Sequence, residues 1–324
     1  MRVIVTGGAG FVGSAVVRRL RAHGEHVVAL DRDAGRAPEL RAAGTEFHVS
    51  DLTDPGALQD LFRGADAVVN AAGWYKVGLT KGERPAMTES NVTVARRVLD
   101  AAIAVGVPHI VHVSTFGIFG DTRGRAVDEA YRRPEGDPLL SWYDKTKLEA
   151  HLSAEARRAG GAPVSIVLPG AAYGIGDPSG LGDQLRRAAA GRLPAIASGS
   201  LGVSWTHVDD LGDGIARVVR DATPGEDWNL GGELGTLRDG ILVACNAAGR
   251  RPPALSAPAT PLRMIARLGP AACARLGLLA NLAEAVRCTD GVTYWGTHAK
   301  AARSLGYTPR PMAEGFAQVF GRED

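Results

Sequence analysis

The segment 141–151, SWYDKTKLEAH, places Tyr143 and Lys147 four residues apart. Side chains at that spacing on a helix lie one above the other. A phenol and an ammonium therefore become neighbours. A free tyrosine holds its proton to about pH 10. An adjacent cation and an oxidised hydride carrier together favour the phenolate and are expected to bring the group toward neutral pH, where acid/base catalysis works best. Beside a hydride carrier, such a phenol is a proton donor for carbonyl reduction.

The carrier's bed is written at the start of the chain. Thr6–Gly13 reads TGGAGFVG between an apolar strand and a helical pattern. The glycines allow two registers, GxxGxxG from Gly7, Gly10 and Gly13, or GxGxxG from Gly8, Gly10 and Gly13. In both, glycine permits the tight turn, the close approach of backbone to a pyrophosphate and close helix–strand packing. Phe11 and Val12 complete the loop, whose helix N-terminus offers N–H groups to phosphate. Asp31 closes the second strand, VVALD, 18 residues after Gly13, near the spacing of ~20 at which an acid meets the adenosine ribose. That carboxylate favours NAD. Arg32, which follows it, would favour the phosphate of NADP instead.

Positioning these groups requires a sheet. Strand-like runs Val3–Thr6, His26–Asp31, Glu46–Val49, Ala67–Asn70, His109–Ser114 and Val164–Pro169 alternate with helical patterns such as Gly13–His23, Asn91–Val105 and Tyr143–Ala159. Alternating β and α with Val/Ile-rich strands means an α/β fold, a Rossmann-type doubly wound parallel sheet covered on both faces. The Gly- and Pro-rich remainder reads as a smaller C-terminal substrate lobe. The expected partition is 1–174 plus 205–232 for the NAD(P)-binding domain and 175–204 plus 233–324 for the lobe. Trp205–Val219 and the short strand Asp227–Leu230 would rejoin the sheet.

The totals exclude several classes. The 324 residues carry a net charge of +2, which gives no basic excess for nucleic acid. Three widely spaced cysteines offer neither a disulfide framework nor a metal spacing, so no metal is expected and a reducing cytoplasm fits best. Met1 runs straight into the first strand, so no signal peptide is expected. No apolar run is long enough to span a bilayer; the stretch 262–286 is broken by Arg267, Pro270, Arg275 and Asn281.

With these residues in order, the chain resembles the extended short-chain dehydrogenases/reductases. TGGAGFVG, SDLTD, VVNAAG, ESNVTVARRVLDAA, VHVSTFGIFG, YDKTK, VLPGAAYG, WTHVDDL and LGYTPRP follow one another as in that family, over nearly the whole length. The flavour is that of NAD-dependent epimerase/dehydratase proteins similar to dihydroflavonol reductases and 3-beta-hydroxysteroid dehydrogenases. The resemblance implies that Tyr143 is the acid/base and that Lys147 holds the nicotinamide ribose. It implies a catalytic hydroxyl at Thr115, five residues before Gly120, with Ser114 auxiliary. Asp51 and Leu52 would flank the adenine, Ala71, Ala72 and Gly73 would pass along the cofactor, and Pro169 and Gly170 would bend around its carboxamide. Family members commonly dimerise through two helices, here Asn91–Val105 and Tyr143–Ala159, so a homodimer is expected. Asn91 reads as a helix N-cap.

Aromatic residues are few, yet Trp74, Tyr75, Phe116, Phe119, Trp142 and Tyr173 fall on loops beside the expected nicotinamide. Such a wall suits an apolar or aromatic ketone or secondary alcohol. Sugar-nucleotide enzymes of this family usually carry an arginine just before the segment Trp205–Asp210; here Val203 and Ser204 stand there, and Arg186, Arg187 or Arg192 would have to substitute. The expected activity is hydride transfer between NAD(P) and a ketone or secondary alcohol. The rivals are a nucleotide-sugar epimerase or dehydratase and a non-enzymatic redox sensor. His207 reads as a capping or packing residue, and Lys76 as a solvated loop charge.

Overall fold

The computed structural model describes residues 1–257, 259–276 and 281–321. Its main sheet has seven parallel strands: β1 (Arg2–Thr6), β2 (His26–Asp31), β3 (Glu46–Val49), β4 (Ala67–Asn70), β5 (His109–Val113), β6 (Val164–Pro169) and β7 (Asp227–Leu230), in the order β7-β6-β5-β4-β1-β2-β3. The order reverses between β1 and β4, and a doubly wound sheet opens a ligand crevice at that point, beyond the strands' carboxyl ends. Val3, Val5, Val69, Val111 and Val167 bury one face and Ile4, Val68, Ile110, Val164 and Ile166 the other, so the strands read as continuous apolar runs rather than alternating ones.

Four helices matter for the site. α1 (Phe11–Ala22) follows the glycine loop, α2 (Val94–Ala104) and α3 (Trp142–Ala159) pack on each other, and α4 (Val208–Asp221) lies against α1. Asp213 of α4 accepts from Arg19 at 2.5 Å and from Arg217 at 2.7 Å, tying α1 to α4. Ser141 starts α3 with a capping box: its hydroxyl accepts from the Asp144 N–H at 3.0 Å, while Asp144 accepts from the Ser141 N–H at 3.1 Å. Two otherwise orphaned N–H groups are satisfied reciprocally.

Asn91 departs from expectation. It caps nothing, because the helix begins earlier, at Arg84–Thr88, and continues into α2 through a π-helical turn over Glu89–Thr93. The wider turn holds the buried Asn91 side chain against the loop after β4, where it accepts from the Trp74 N–H at 2.7 Å and donates to the Trp74 carbonyl at 3.0 Å.

A second sheet centres on Gly202–His207, which pairs with Ala171–Tyr173, Glu233–Thr236 and Thr293–Tyr294. This central strand straddles the boundary expected at 204/205, and Trp205 belongs to the second sheet rather than to the first. The helix Ala299–Leu305 and Tyr307 lie outside the expected dinucleotide domain in sequence, yet Ala301, Leu305 and Tyr307 bury into the core of the main sheet. Tyr173, Trp205 and Phe316 form the aromatic centre of the smaller lobe. Among the described residues, no helix is long and apolar enough to cross a membrane, and no cluster of His, Cys, Asp or Glu could hold a metal. All three cysteines are free and buried.

Candidate active site

At the cofactor end, Gly7 takes φ +68°, and a Cβ there would lie 2.8 Å from the Ala72 backbone. A Cβ on Gly13 would come within 2.0 Å of the Gly7 carbonyl oxygen. The loop therefore tolerates no side chain at either position. Gly10 is the N-cap of α1 and no side chain caps that helix, which leaves its first N–H groups to an anion. Asp31 accepts from the Ala9 N–H and the Asp33 N–H, each at 3.1 Å. This donor set and side-chain-free cradle fit a dinucleotide.

The other expected cofactor residues stand at the same sheet edge. Leu52 is buried at φ +61°, a conformation disfavoured for a branched side chain. Asp51 beside it is exposed and accepts from Thr53, whose hydroxyl and N–H hold its carboxyl below the usual range. Ala71 and Ala72 are half-buried just beyond β4, and Gly73 is exposed. Pro169 ends β6, and Gly170 packs on the Ser204 carbonyl. Arg32 is exposed. A residue missed by sequence reasoning, Arg36, reaches back to the loop, donating to the Ala9 carbonyl at 3.1 Å and the Ser14 hydroxyl at 3.4 Å. No motif marks it; only the fold returns it to the loop. Replacing Asp31 by Ala removes the carboxylate at this loop and leaves Arg32 and Arg36 in place. The ratio of NADPH to NADH affinity, read by nicotinamide fluorescence, is expected to rise about tenfold, equivalent to one charge–charge contact of ~1.4 kcal/mol.

At the chemical end, the Thr115 hydroxyl stands beside the Tyr143 phenol and favours its phenolate. Thr115 also accepts from the Gly117 N–H at 3.1 Å, capping the short turn Phe116–Phe119. Lys147 is 7% exposed, and its ammonium donates to the Val113 carbonyl at 2.6 Å. Ser114 is buried and pairs with His151 at 3.1 Å. Behind them runs a buried polar line: Thr6 donates to Asn70 at 2.9 Å, and Asn70 donates to His112 at 3.2 Å. Tyr75 sets its ring edge-on to Tyr143, centroids 4.8 Å apart at 86°.

The electrostatics correct one expectation. Tyr143 does not move toward neutral pH in the protein alone. Burial pushes its phenol up, the neighbouring Asp144 carboxylate adds to that, and the Thr115 hydroxyl only partly opposes them. Lys147 is itself pulled down to about 8 by burial. The missing stabilisation of a phenolate has to come from charge brought into the site.

Asp144 is pushed up to about 7, chiefly by burial, against the stabilising Ser141 contacts and with the help of the buried Glu284. A carboxyl whose folded value lies above its unfolded one stabilises the fold at low pH and loses that contribution as pH rises, here between about 4 and 7. An upper limit for the loss is roughly 4 kcal/mol. Asp144→Asn keeps an acceptor for the Ser141 N–H and cannot ionise. The difference in Tm, variant minus parent, should grow from pH 5 to pH 8 in a thermal melt.

The expected aromatic wall divides. Trp74 is half-buried and Tyr75 is 52% exposed, both beside Tyr143's helix. Trp142 donates to Thr88 at 3.3 Å and is flanked by Arg84 and Lys145 in cation–π contact. Phe116 is no pocket residue: its ring stacks on Phe119 and fills the space against Gly231 and Gly296. Tyr173 is likewise core, wedged among Trp205, His207 and Phe316. Both rings are large apolar bodies at the seam of the two lobes, where burial outcompetes exposure to a ligand. Tyr294, whose hydroxyl donates to the Cys288 carbonyl at 3.3 Å, packs with Val77, Leu140, Cys288 and Val292 in a small apolar cluster of its own. His207 caps α4 by accepting from the Asp209 N–H at 3.3 Å. Lys76 is paired with Glu83 rather than solvated alone.

A glycine-looped sheet edge facing a tyrosine–lysine helix defines a dinucleotide-dependent enzyme class. Residues 3–231 match the NAD dependent epimerase/dehydratase family, and the chain belongs to it; its cofactor is NAD. It is 31% identical over 248 residues to a putative dihydroflavonol 4-reductase of Synechocystis, covering 74% of this chain and 70% of that protein. It is 28% identical to a 2-alkyl-3-oxoalkanoate reductase of Stenotrophomonas maltophilia, covering 97% and 96%. Among solved structures it is similar to the dTDP-glucose 4,6-dehydratase of Streptomyces venezuelae crystallised with NAD, at 26% identity, TM-score 0.77 and coverage of 99% and 96%.

Proposed function

We propose that this enzyme transfers hydride between NAD and a ketone or secondary alcohol with an apolar or aromatic body. The Tyr143 phenol, beside the Thr115 hydroxyl and edge-on to the Tyr75 ring, with the buried Lys147 one turn away, carries this reading. In reduction, Tyr143 releases its proton to the carbonyl oxygen, and Thr115 steadies that oxygen by a hydrogen bond. Lys147 orients the ribose and supplies positive charge near the phenol. NAD supplies the hydride chemistry; the glycine loop, Asp31, Asp51, Leu52, Ala71–Gly73, Pro169 and Gly170 would hold it. The exposed Tyr75 ring set against the phenol suits an apolar or aromatic body. Val203 and Ser204 are buried, and Ser204 donates to the Gly296 carbonyl at 3.3 Å, so the usual diphosphate position carries no cation of its own.

One observation favours a sugar-nucleotide epimerase or dehydratase instead. An open groove between the helices Ala259–Arg267 and Leu282–Arg287 is lined by Arg263, Arg267 and Arg287, with Asp290 paired to Arg263 and Arg287 donating to the Leu140 carbonyl. Guanidinium groups suit a diphosphate. Of the arginines first considered for that task, Arg186 donates to the Asp177 carbonyl and Arg187 lies 4.0 Å from Asp183. Absorbance at 340 nm over a panel of ketones and alcohols with NADH and NAD tests the first reading. Turnover of a nucleotide sugar with retained cofactor and none added would replace it. The reading includes a homodimer through α2 and α3, helices held together by Arg96–Glu149 and Arg157–Asp100 pairs and leaving Leu152 exposed.

A further inference from the structure

Three successive residues at the end of β5 are stitched to three successive turns of α3. Thr115 meets Tyr143, the Val113 carbonyl accepts from Lys147, and Ser114 pairs with His151. Tyr143, Lys147, His151 and Glu155 therefore form one column along the helix, each four residues from the last. The reading above uses the first two members and not the third. His151 is 6% exposed, with Nδ1 on the Ser114 hydroxyl and Nε2 3.5 Å from the Glu155 carboxylate.

The carboxylate fixes the tautomer. Glu155 can only accept, so Nε2 carries the ring's proton and Nδ1 is left to accept from the Ser114 hydroxyl. Ser114 is thereby held from both ends, since its N–H donates to the Val167 carbonyl at 2.8 Å. The peptide it shares with Val113 presents the carbonyl that binds Lys147, and its other neighbour is Thr115. A second proton on His151 would turn Nδ1 into a donor. Ser114 would have to rotate, and a new cation would stand in the buried space shared with Lys147 and His112.

We propose that His151 is a positioning residue for the Tyr143–Lys147 pair, locking Val113–Thr115 while neutral and unlocking it when protonated. This rests on the acid/base reading of Tyr143. The surroundings hold the ring neutral: burial lowers its proton affinity, Glu155 and Asp227 oppose this, and Arg158 and Arg132 reinforce it. His112 and Lys147 face it from β5 and from its own helix, and Arg157 adds positive charge to the His112 side. The consequence is an acid limb in turnover that belongs to His151.

The test compares the parent with His151→Asn, His151→Leu and Tyr143→Phe, reducing 9,10-phenanthrenequinone with NADH from about pH 5 to 8. Asn places a non-titrating acceptor near the Nδ1 position. It should keep kcat within about threefold at neutral pH and lose the acid limb, whereas Leu should lower kcat about tenfold at every pH with an unchanged Tm. In parallel, ¹H–¹⁵N spectra of the NAD-saturated protein should show His151 as the Nε2–H tautomer, with an Nδ1 signal that shifts in Ser114→Ala. An acid limb retained in the Asn variant, full turnover in the Leu variant, or a ring found as the Nδ1–H tautomer overturns the proposal. The spectra decide it even if the quinone is turned over slowly. Undiminished activity in Tyr143→Phe would overturn the acid/base reading instead, leaving the His151 spectra to report separately.

Discussion

Tyr143→Phe should lower kcat about a thousandfold while leaving NADH affinity within about twofold, since general acid/base groups typically contribute 10²- to 10⁴-fold. The ring stays, so its edge-on packing with Tyr75 stays. Only the hydroxyl goes, and Thr115 keeps its bond from the Gly117 N–H. The change falls on the chemical step because the phenol gives up its proton only as the carbonyl oxygen gains charge. Stopped-flow reduction under single-turnover conditions separates this from slow product release. A loss confined to KM would mean that the phenol merely binds substrate. Burial and Asp144 hold the free phenol high, so activity should also depend on the charge state of what occupies the site.

Gly13→Ala should be the most damaging single substitution in the cofactor bed. The added methyl would sit 2.0 Å from the Gly7 carbonyl oxygen, well inside contact distance, and both partners are backbone. Helix propensity favours Ala over Gly by about 1 kcal/mol, so a stabilising effect would follow if space allowed. The clash reverses the sign: overpacking ordinarily costs about 1–3 kcal/mol, and relief requires the loop to swing out. NADH affinity should fall at least about a hundredfold, because N–H groups aimed at pyrophosphate must keep their geometry. Isothermal titration measures the affinity, and a parallel melt shows whether the fold survives. Unchanged affinity would show that the loop bends without cost and would remove the steric account.

The main sheet could be read from the chain because its logic is local. His26–Asp31, Glu46–Val49, Ala67–Asn70, Val164–Pro169 and Asp227–Leu230 are short apolar runs closed by polar or turn residues, and each strand has the expected bounds. The glycine loop, Asp31 and the Tyr143/Lys147 spacing depend on a few neighbouring residues and were equally visible. The aromatic surroundings of the site were not. Phe116 and Tyr173 were expected in the pocket because they sit next to it along the chain; three-dimensional packing turned both rings into core. Asn91 was expected to cap a helix because the π turn before α2 has no sequence signal that separates it from a helix start. His151 was hidden by its ordinary place on a helical face; only the position of Ser114 across from it gives it meaning.

The strand Gly202–His207 has one further consequence, for synthesis. Its partners Thr293–Tyr294, and Phe316 packed on Trp205, come late in the chain. The seven strands of the main sheet are all translated by Leu230. On the ribosome, the nucleotide cradle can assemble while the second lobe is still unmade, as domains generally fold in order of emergence. Ala301, Leu305 and Tyr307 complete that sheet's core only after the second lobe is made, so dinucleotide captured earlier would bind an unfinished cradle and act as a folding aid before any substrate could be recognised.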